Sequence, residues 1–178
     1  MNLINEKDCV LIAIDFQEKL VGMLENRSCA NKMKKLLITA KTLNIPTIVT
    51  EQYPKGLGFT IEELDISHAT IVEKTSFSAL QQQEFADALV KTGRKQVIIG
   101  GIETHICVHQ TVSELIDAGF EVFVVKDACA SRNRFEFEQG LQIMRQNGAK
   151  ITSMEIVLFE LLRSSRHPYF KILQSLIK

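Results

Sequence analysis

The sequence is short of several features that would have directed the reading elsewhere. It has no excess of either charge, with 21 Lys and Arg against 21 Asp and Glu and no long block of one sign. A nucleic-acid-binding or polybasic membrane surface is therefore not expected. No apolar run approaches the roughly 18 residues of a membrane span. Residues 1–8 lack the charged-then-apolar pattern of a secretory leader. The 4 cysteines, Cys9, Cys29, Cys107 and Cys129, are scattered and make no C-x-x-C motif, so neither a zinc site nor a disulfide framework is expected. With its thiols reduced, the chain is expected in the cytoplasm. The dinucleotide fingerprint G-x-G-x-x-G is absent, as are internal repeats, linkers and low-complexity tracts.

What is present is a regular alternation. Short apolar runs at residues 9–14, 47–50, 69–73, 96–99, 120–125 and 149–152 read as strands. Between them lie helical patterns, the clearest at residues 31–43, 78–91, 104–118 and 134–146, with further helix at 154–163 and 169–177. A chain of 178 residues in this pattern makes one domain, 1–178. Its expected fold is three-layer α/β and Rossmann-like, a six-stranded parallel sheet of order 3-2-1-4-5-6 with helices on both faces.

Three residues stand just beyond three of these strands. Asp15 follows the first, Lys74 ends the third, and Cys107 lies shortly after the fourth, past Gly100 and Gly101, which are read as a sharp turn into a helix. Each has an ordinary explanation. Asp15 suits a helix cap, Lys74 a solvated surface and Cys107 a small buried hydrophobe. Parallel strands, however, bring their carboxyl ends to one edge of the sheet, where ligands bind. An acid, a cation and a thiol gathered there form a nucleophile with its activators. Lys74 and the helix terminus are expected to favour the Cys107 thiolate, making it the most acidic of the 4 cysteines.

At these residues the chain also resembles the isochorismatase-like cysteine hydrolases, the superfamily that includes nicotinamidases and N-carbamoylsarcosine amidohydrolase. The likeness rests on Asp15-Phe16-Gln17, on Glu73-Lys74-Thr75-Ser76-Phe77-Ser78, and on Gly101-Ile102-Glu103-Thr104-His105-Ile106-Cys107-Val108. It implies that Asp15, Lys74 and Cys107 are catalytic. It further implies a cis peptide at Ile102–Glu103 that helps aim backbone N–H groups into an oxyanion hole. Candidate substrate-binding residues are Phe16, Gln17, Gln52, Tyr53 and Thr104. Two departures separate the chain from better-known members. Glu103-Thr104-His105 replaces the frequent small-residue-Thr-Asp stretch, and the Asp-x-His pair with a further His that holds a metal in nicotinamidases is missing. Only Asp65 and His68 occupy that neighbourhood, and His68 is read as a surface residue. His105 and His109 have a possible ligand spacing but no third partner. No metal and no cofactor are expected.

The leading functional expectation is a hydrolase that cleaves a small amide-like C–N bond through a Cys107 acyl-enzyme. The alternatives are non-covalent vinyl-ether hydrolysis of the isochorismatase type, a non-enzymatic interaction module, and a redox-sensing thiol with Cys129 as its only candidate resolving partner. The expected partners are a small-molecule substrate and further copies of the chain. Self-association is anticipated from the many apolar positions of residues 155–178, and the family resemblance points the same way.

Overall fold

The computed structural model describes residues 3–178, so Met1 and Asn2, within the segment read for a leader, lie outside the described residues. In chain order the elements are β1 (Cys9–Ile14), α1 (Glu18–Gly22), α2 (Ser28–Thr42), β2 (Thr47–Gln52), α3 (Pro54–Leu57), β3 (Thr70–Lys74), α4 (Gln83–Thr92), β4 (Gln96–Ile102), a π-helical turn (Thr104–Val108), α5 (His109–Asp117), β5 (Glu121–Ala130), α6 (Arg134–Gln146), β6 (Lys150–Thr152), α7 (Met154–Leu162) and α8 (Phe170–Gln174). Short 3-10 turns at Ala79–Gln81 and Ser175–Ile177 complete the set. The strands form one 6-stranded sheet in the order β3-β2-β1-β4-β5-β6, and all its pairings are parallel. That is the expected order.

All of β1 is buried because the sheet is covered on both faces. Its alternate residues divide between two cores. Leu11 and Ala13 join one core with Met33, Leu37 and Val157 of α2 and α7. Val10, Ile12 and Ile14 join the other with Phe85, Val112 and Leu141 of α4, α5 and α6. Several helix ends follow from local chemistry. The Asn133 side chain accepts from the N–H groups of Phe135 and Glu136 at the start of α6, and Gly93 closes α4 in the left-handed region (φ 66°).

The structure corrects the reading in four places. Gly100 and Gly101 do not turn the chain; they continue β4 to Ile102. A Cβ on Gly101 would lie 2.5 Å from the Ile14 carbonyl oxygen, and one on Gly100 would lie 2.7 Å from that of Ala128. The glycines therefore serve close approach of β4 to its neighbours, at a register shift between Ile99 and Gly101. The helix after them opens as a π-helical turn rather than as an α-helix. The segment at 126–130 is strand rather than loop, because it pairs with the extended end of β4 (Gly101 with Cys129, Ile102 with Ala130). Finally, the helical pattern at 78–91 divides into a 3-10 turn and α4.

Candidate active site

Asp15 stands one residue past β1 in the left-handed region (φ 55°), a conformation that Asp tolerates better than most residues. Its N–H donates to the Thr50 carbonyl (3.2 Å), which extends the β1–β2 ladder. Its carboxylate is wholly buried. One oxygen accepts from the Thr50 hydroxyl (2.6 Å) and the other from Lys74 Nζ (2.9 Å). Lys74 is buried as completely, with its ammonium also within reach of Gln52 Oε1 (2.6 Å) and the carbonyls of Phe77 (3.1 Å) and Ser76 (3.2 Å). Charges taken this far from water persist only when paired and hydrogen-bonded. Lys74 is therefore not a solvated surface residue, and Asp15 is not a simple cap.

Cys107 lies in the π-helical turn and is 6% exposed. Here the structure overturns the expected acidity. Its thiol is pushed up to about 12, chiefly by burial and next by the Asp15 carboxylate, while Lys74 pulls it down. Cys9 and Cys129 are likewise pushed up to about 12 and Cys29 to about 11, with burial the first cause in each. Acidity does not set Cys107 apart from the other thiols. What sets it apart is that a buried carboxylate and a buried ammonium both act on its sulfur.

Those raised values carry a sign. A thiol that titrates higher in the folded state than its ordinary value of 9.0 stabilises the fold fully below pH 9, and the contribution is lost as pH rises toward 12. The protein is expected to lose stability progressively above pH 9, with Cys9→Ala making the fall shallower. Urea denaturation at stepped pH reads this directly. A wild-type midpoint that stays level from about pH 8 to 11 would contradict it.

Gln17 is fully buried, with Nε2 donating to the carbonyls of Gln52 (2.9 Å) and Gly58 (2.7 Å) and Oε1 accepting from the Gln52 N–H (2.7 Å). It ties β1 to the loop that follows β2. Phe16 is fully buried in the core beneath α2. Gln52 bridges Lys74 and the Thr75 carbonyl. Tyr53 is 56% exposed and, with Lys55, Thr75 and Gln82, lines a hollow of about 420 Å³ that reaches Lys74. The Ile102–Glu103 peptide is cis, and the Glu103 carboxylate accepts from the Arg132 N–H (3.0 Å) and pairs with its guanidinium. Thr104 is fully buried. The sequence reading missed Thr50, whose role depends on its register opposite Ile14.

His105 Nδ1 lies 2.9 Å from the Ser131 hydroxyl, and His109 is half-buried with Nδ1 unpartnered. His68 is not on the surface as read. It is half-buried with both ring nitrogens sealed from water and unpartnered, and burial lowers its pKa. It precedes β3, whose opposite end carries Lys74, and Asp65 is occupied by Lys41 (2.6 Å). These residues do not assemble a nicotinamidase-type metal set beside Asp15. No group of 3 or more His, Cys, Asp or Glu that could hold a metal occurs among the described residues.

An isochorismatase-domain family model matches residues 9–156. The chain belongs to the isochorismatase family. It is 39% identical over 178 residues to isochorismatase domain-containing protein 2 of Xenopus laevis, covering 98% of this chain and 85% of that protein. Among solved structures it is similar to the MAR1 ribonuclease of Caenorhabditis elegans (TM-score 0.93, 38% identity, 99% of this chain and 92% of that one). It is also similar to the YcaC gene product of Escherichia coli, an octameric hydrolase of unknown specificity (TM-score 0.89, 28% identity, 98% and 96%). The family accounts for the six-stranded order and for an isochorismatase-like hydrolase scaffold. Among the described residues no helix is long and apolar enough to cross a membrane.

Proposed function

We propose that this member of the isochorismatase family is a cysteine hydrolase acting on a small amide-like C–N bond, with Asp15, Lys74 and Cys107 as its catalytic triad. One observation carries the reading: a buried carboxylate–ammonium pair acts on a single buried thiol at the carboxyl edge of the sheet. Because that thiol is protonated at neutral pH, attack needs a base. Cys107 Sγ adds to the carbonyl carbon as its proton passes to Asp15, and backbone N–H groups near Cys107 hold the oxyanion. Asp15 then returns the proton to the leaving nitrogen, the C–N bond breaks, and a thioester remains. A water gives a proton to Asp15 and its oxygen to the acyl carbon, and Cys107 leaves and regains that proton. Lys74 steadies the charges on Asp15 and on sulfur throughout. No step calls for a metal or cofactor.

The ribonuclease name of one structural relative makes RNA an alternative substrate. The formal net charge of zero gives little attraction for a phosphate backbone, which favours the small neutral substrate. The test is a panel of small amides, ureides, nicotinamide, isochorismate and RNA, with and without a chelator, scored for ammonia, pyruvate or cleaved RNA. Ammonia release from an amide or ureide supports the reading, and cleavage confined to isochorismate or RNA overturns it. The 4 free thiols suit the cytoplasm proposed as its compartment.

We also propose that the chain self-associates. Leu3, Ile156, Tyr169 and Ile172 are 41–56% exposed, and the octameric relative uses the same scaffold. Light scattering at micromolar concentration should give a mass of at least two chains. A monomer mass refutes it.

A further inference from the structure

Among the described polar residues that are buried as a whole, every side chain but one is hydrogen-bonded; the half-buried His68, His109 and Thr152 also carry unpartnered atoms. Thr104 is fully buried, and its hydroxyl has no partner. The other buried threonines show how unusual this is. Thr39 donates to the Lys35 carbonyl, Thr47 to that of Ile45, Thr111 to that of Cys107, and Thr50 to the Asp15 carboxylate. A helical threonine usually satisfies itself on the carbonyl four residues back, as Thr39 and Thr111 do. Thr104 is the first residue of the π-helical turn, and the residue four back, Gly100, belongs to β4. Its hydroxyl is therefore left over where the chain passes from strand to helix. An orphaned buried hydroxyl is a cost to the free protein that calls for an explanation, and π-helical turns often mark functional sites.

The site supplies the explanation. Cys107 belongs to the same π-helical turn, three residues further along the chain. We propose that the Thr104 hydroxyl is a substrate-contacting hydrogen-bond donor, reserved for the oxygen of a carbonyl compound that reacts at Cys107. This deepens the thiol-hydrolase reading and rests on it. In the free protein the donor waits, and in the reaction it meets the oxygen on which negative charge accumulates as sulfur adds. It also narrows the substrate class to molecules with a carbonyl at the reacting carbon, which a vinyl ether lacks.

The test separates the donor from the nucleophile by using two small electrophiles on the full chain. 4-Nitrophenyl acetate is attacked by Cys107 sulfur at its carbonyl carbon; electrons move onto the carbonyl oxygen and return as the C–O bond breaks and 4-nitrophenolate leaves, while the thiol proton passes to Asp15 and on to water. Iodomethane is attacked at carbon with loss of iodide and the thiol proton, and it offers no oxygen to a donor. Acylation is followed as the 4-nitrophenolate release that Cys107→Ala lacks, and methylation of Cys107 by mass spectrometry. Thr104→Val is expected to slow acylation on the order of 100-fold, to leave iodomethane methylation at the wild-type rate, and to keep or raise the thermal midpoint. Thr104→Ser should keep most of the acylation rate. Thr104→Ala, which differs from Thr104→Ser by the hydroxyl alone, gives the same comparison should valine not fit. Equal effects on both reagents, or none on either, overturn the assignment of Thr104 while leaving Cys107 as nucleophile. A wild-type Cys107 inert to both reagents overturns the thiol reading itself, and the Thr104 assignment with it.

Discussion

Cys107→Ala is expected to lower turnover of the substrate found by the panel by a factor on the order of 10⁴–10⁶, with the fold intact. The size follows from the covalent mechanism proposed above. Without sulfur there is no acyl-enzyme, and the Asp15–Lys74 pair is left with only water to activate. The fold survives because the change removes one sulfur and leaves the ion pair, Thr50 and the β1–β2 ladder in place. Circular dichroism and the thermal midpoint establish that, and product release measures the loss. A variant that keeps more than about a tenth of wild-type turnover would exclude the acyl-enzyme and favour a non-covalent route of the vinyl-ether type.

Lys74→Ala is expected to damage stability as well as activity, by about 3–5 kcal/mol. It leaves the Asp15 carboxylate fully buried with the Thr50 hydroxyl as its remaining side-chain partner, and it strips Gln52 Oε1 and the carbonyls of Ser76 and Phe77 of a shared donor. Breaking a buried pair from one side costs far more than removing both charges together. The double variant Asp15→Asn with Lys74→Met should therefore recover most of the lost stability while remaining inactive. Urea midpoints at constant slope measure both terms. A Lys74→Ala protein within about 0.5 kcal/mol of wild type would show that the pair is open to solvent in solution.

The meeting of Asp15 and Lys74 was legible because it depends on strand order and on little else. Once the six apolar runs are parallel and β2 alone separates β1 from β3, Asp15 just past β1 and Lys74 at the end of β3 share one edge, whatever the loops do. The state of the thiol was not legible. The sequence gives a cysteine near a helix start and a lysine elsewhere, which argues for an acidic thiol. In the fold, burial first and the Asp15 carboxylate second outweigh Lys74 and raise it instead. How far each group sits from water is a property of packing that no local pattern states.

The same division runs through the rest of the chain. Hydrophobic periodicity by itself determined the alternation of strands and helices and the three-layer architecture, because elements of this length bury their apolar sides in few ways. It also marked the strand ends at which Asp15 and Lys74 meet. Tertiary structure alone decided why Gly100 and Gly101 are glycine, since the atoms that exclude a Cβ belong to Ile14 and Ala128 on neighbouring strands. It decided that Gln17 spends its amide on the loop after β2, and that Thr50 serves Asp15. It left the Thr104 hydroxyl without a partner. A hydrogen bond between distant residues is fixed by register and by sub-ångström packing, whereas sequence fixes only which groups are available to make it.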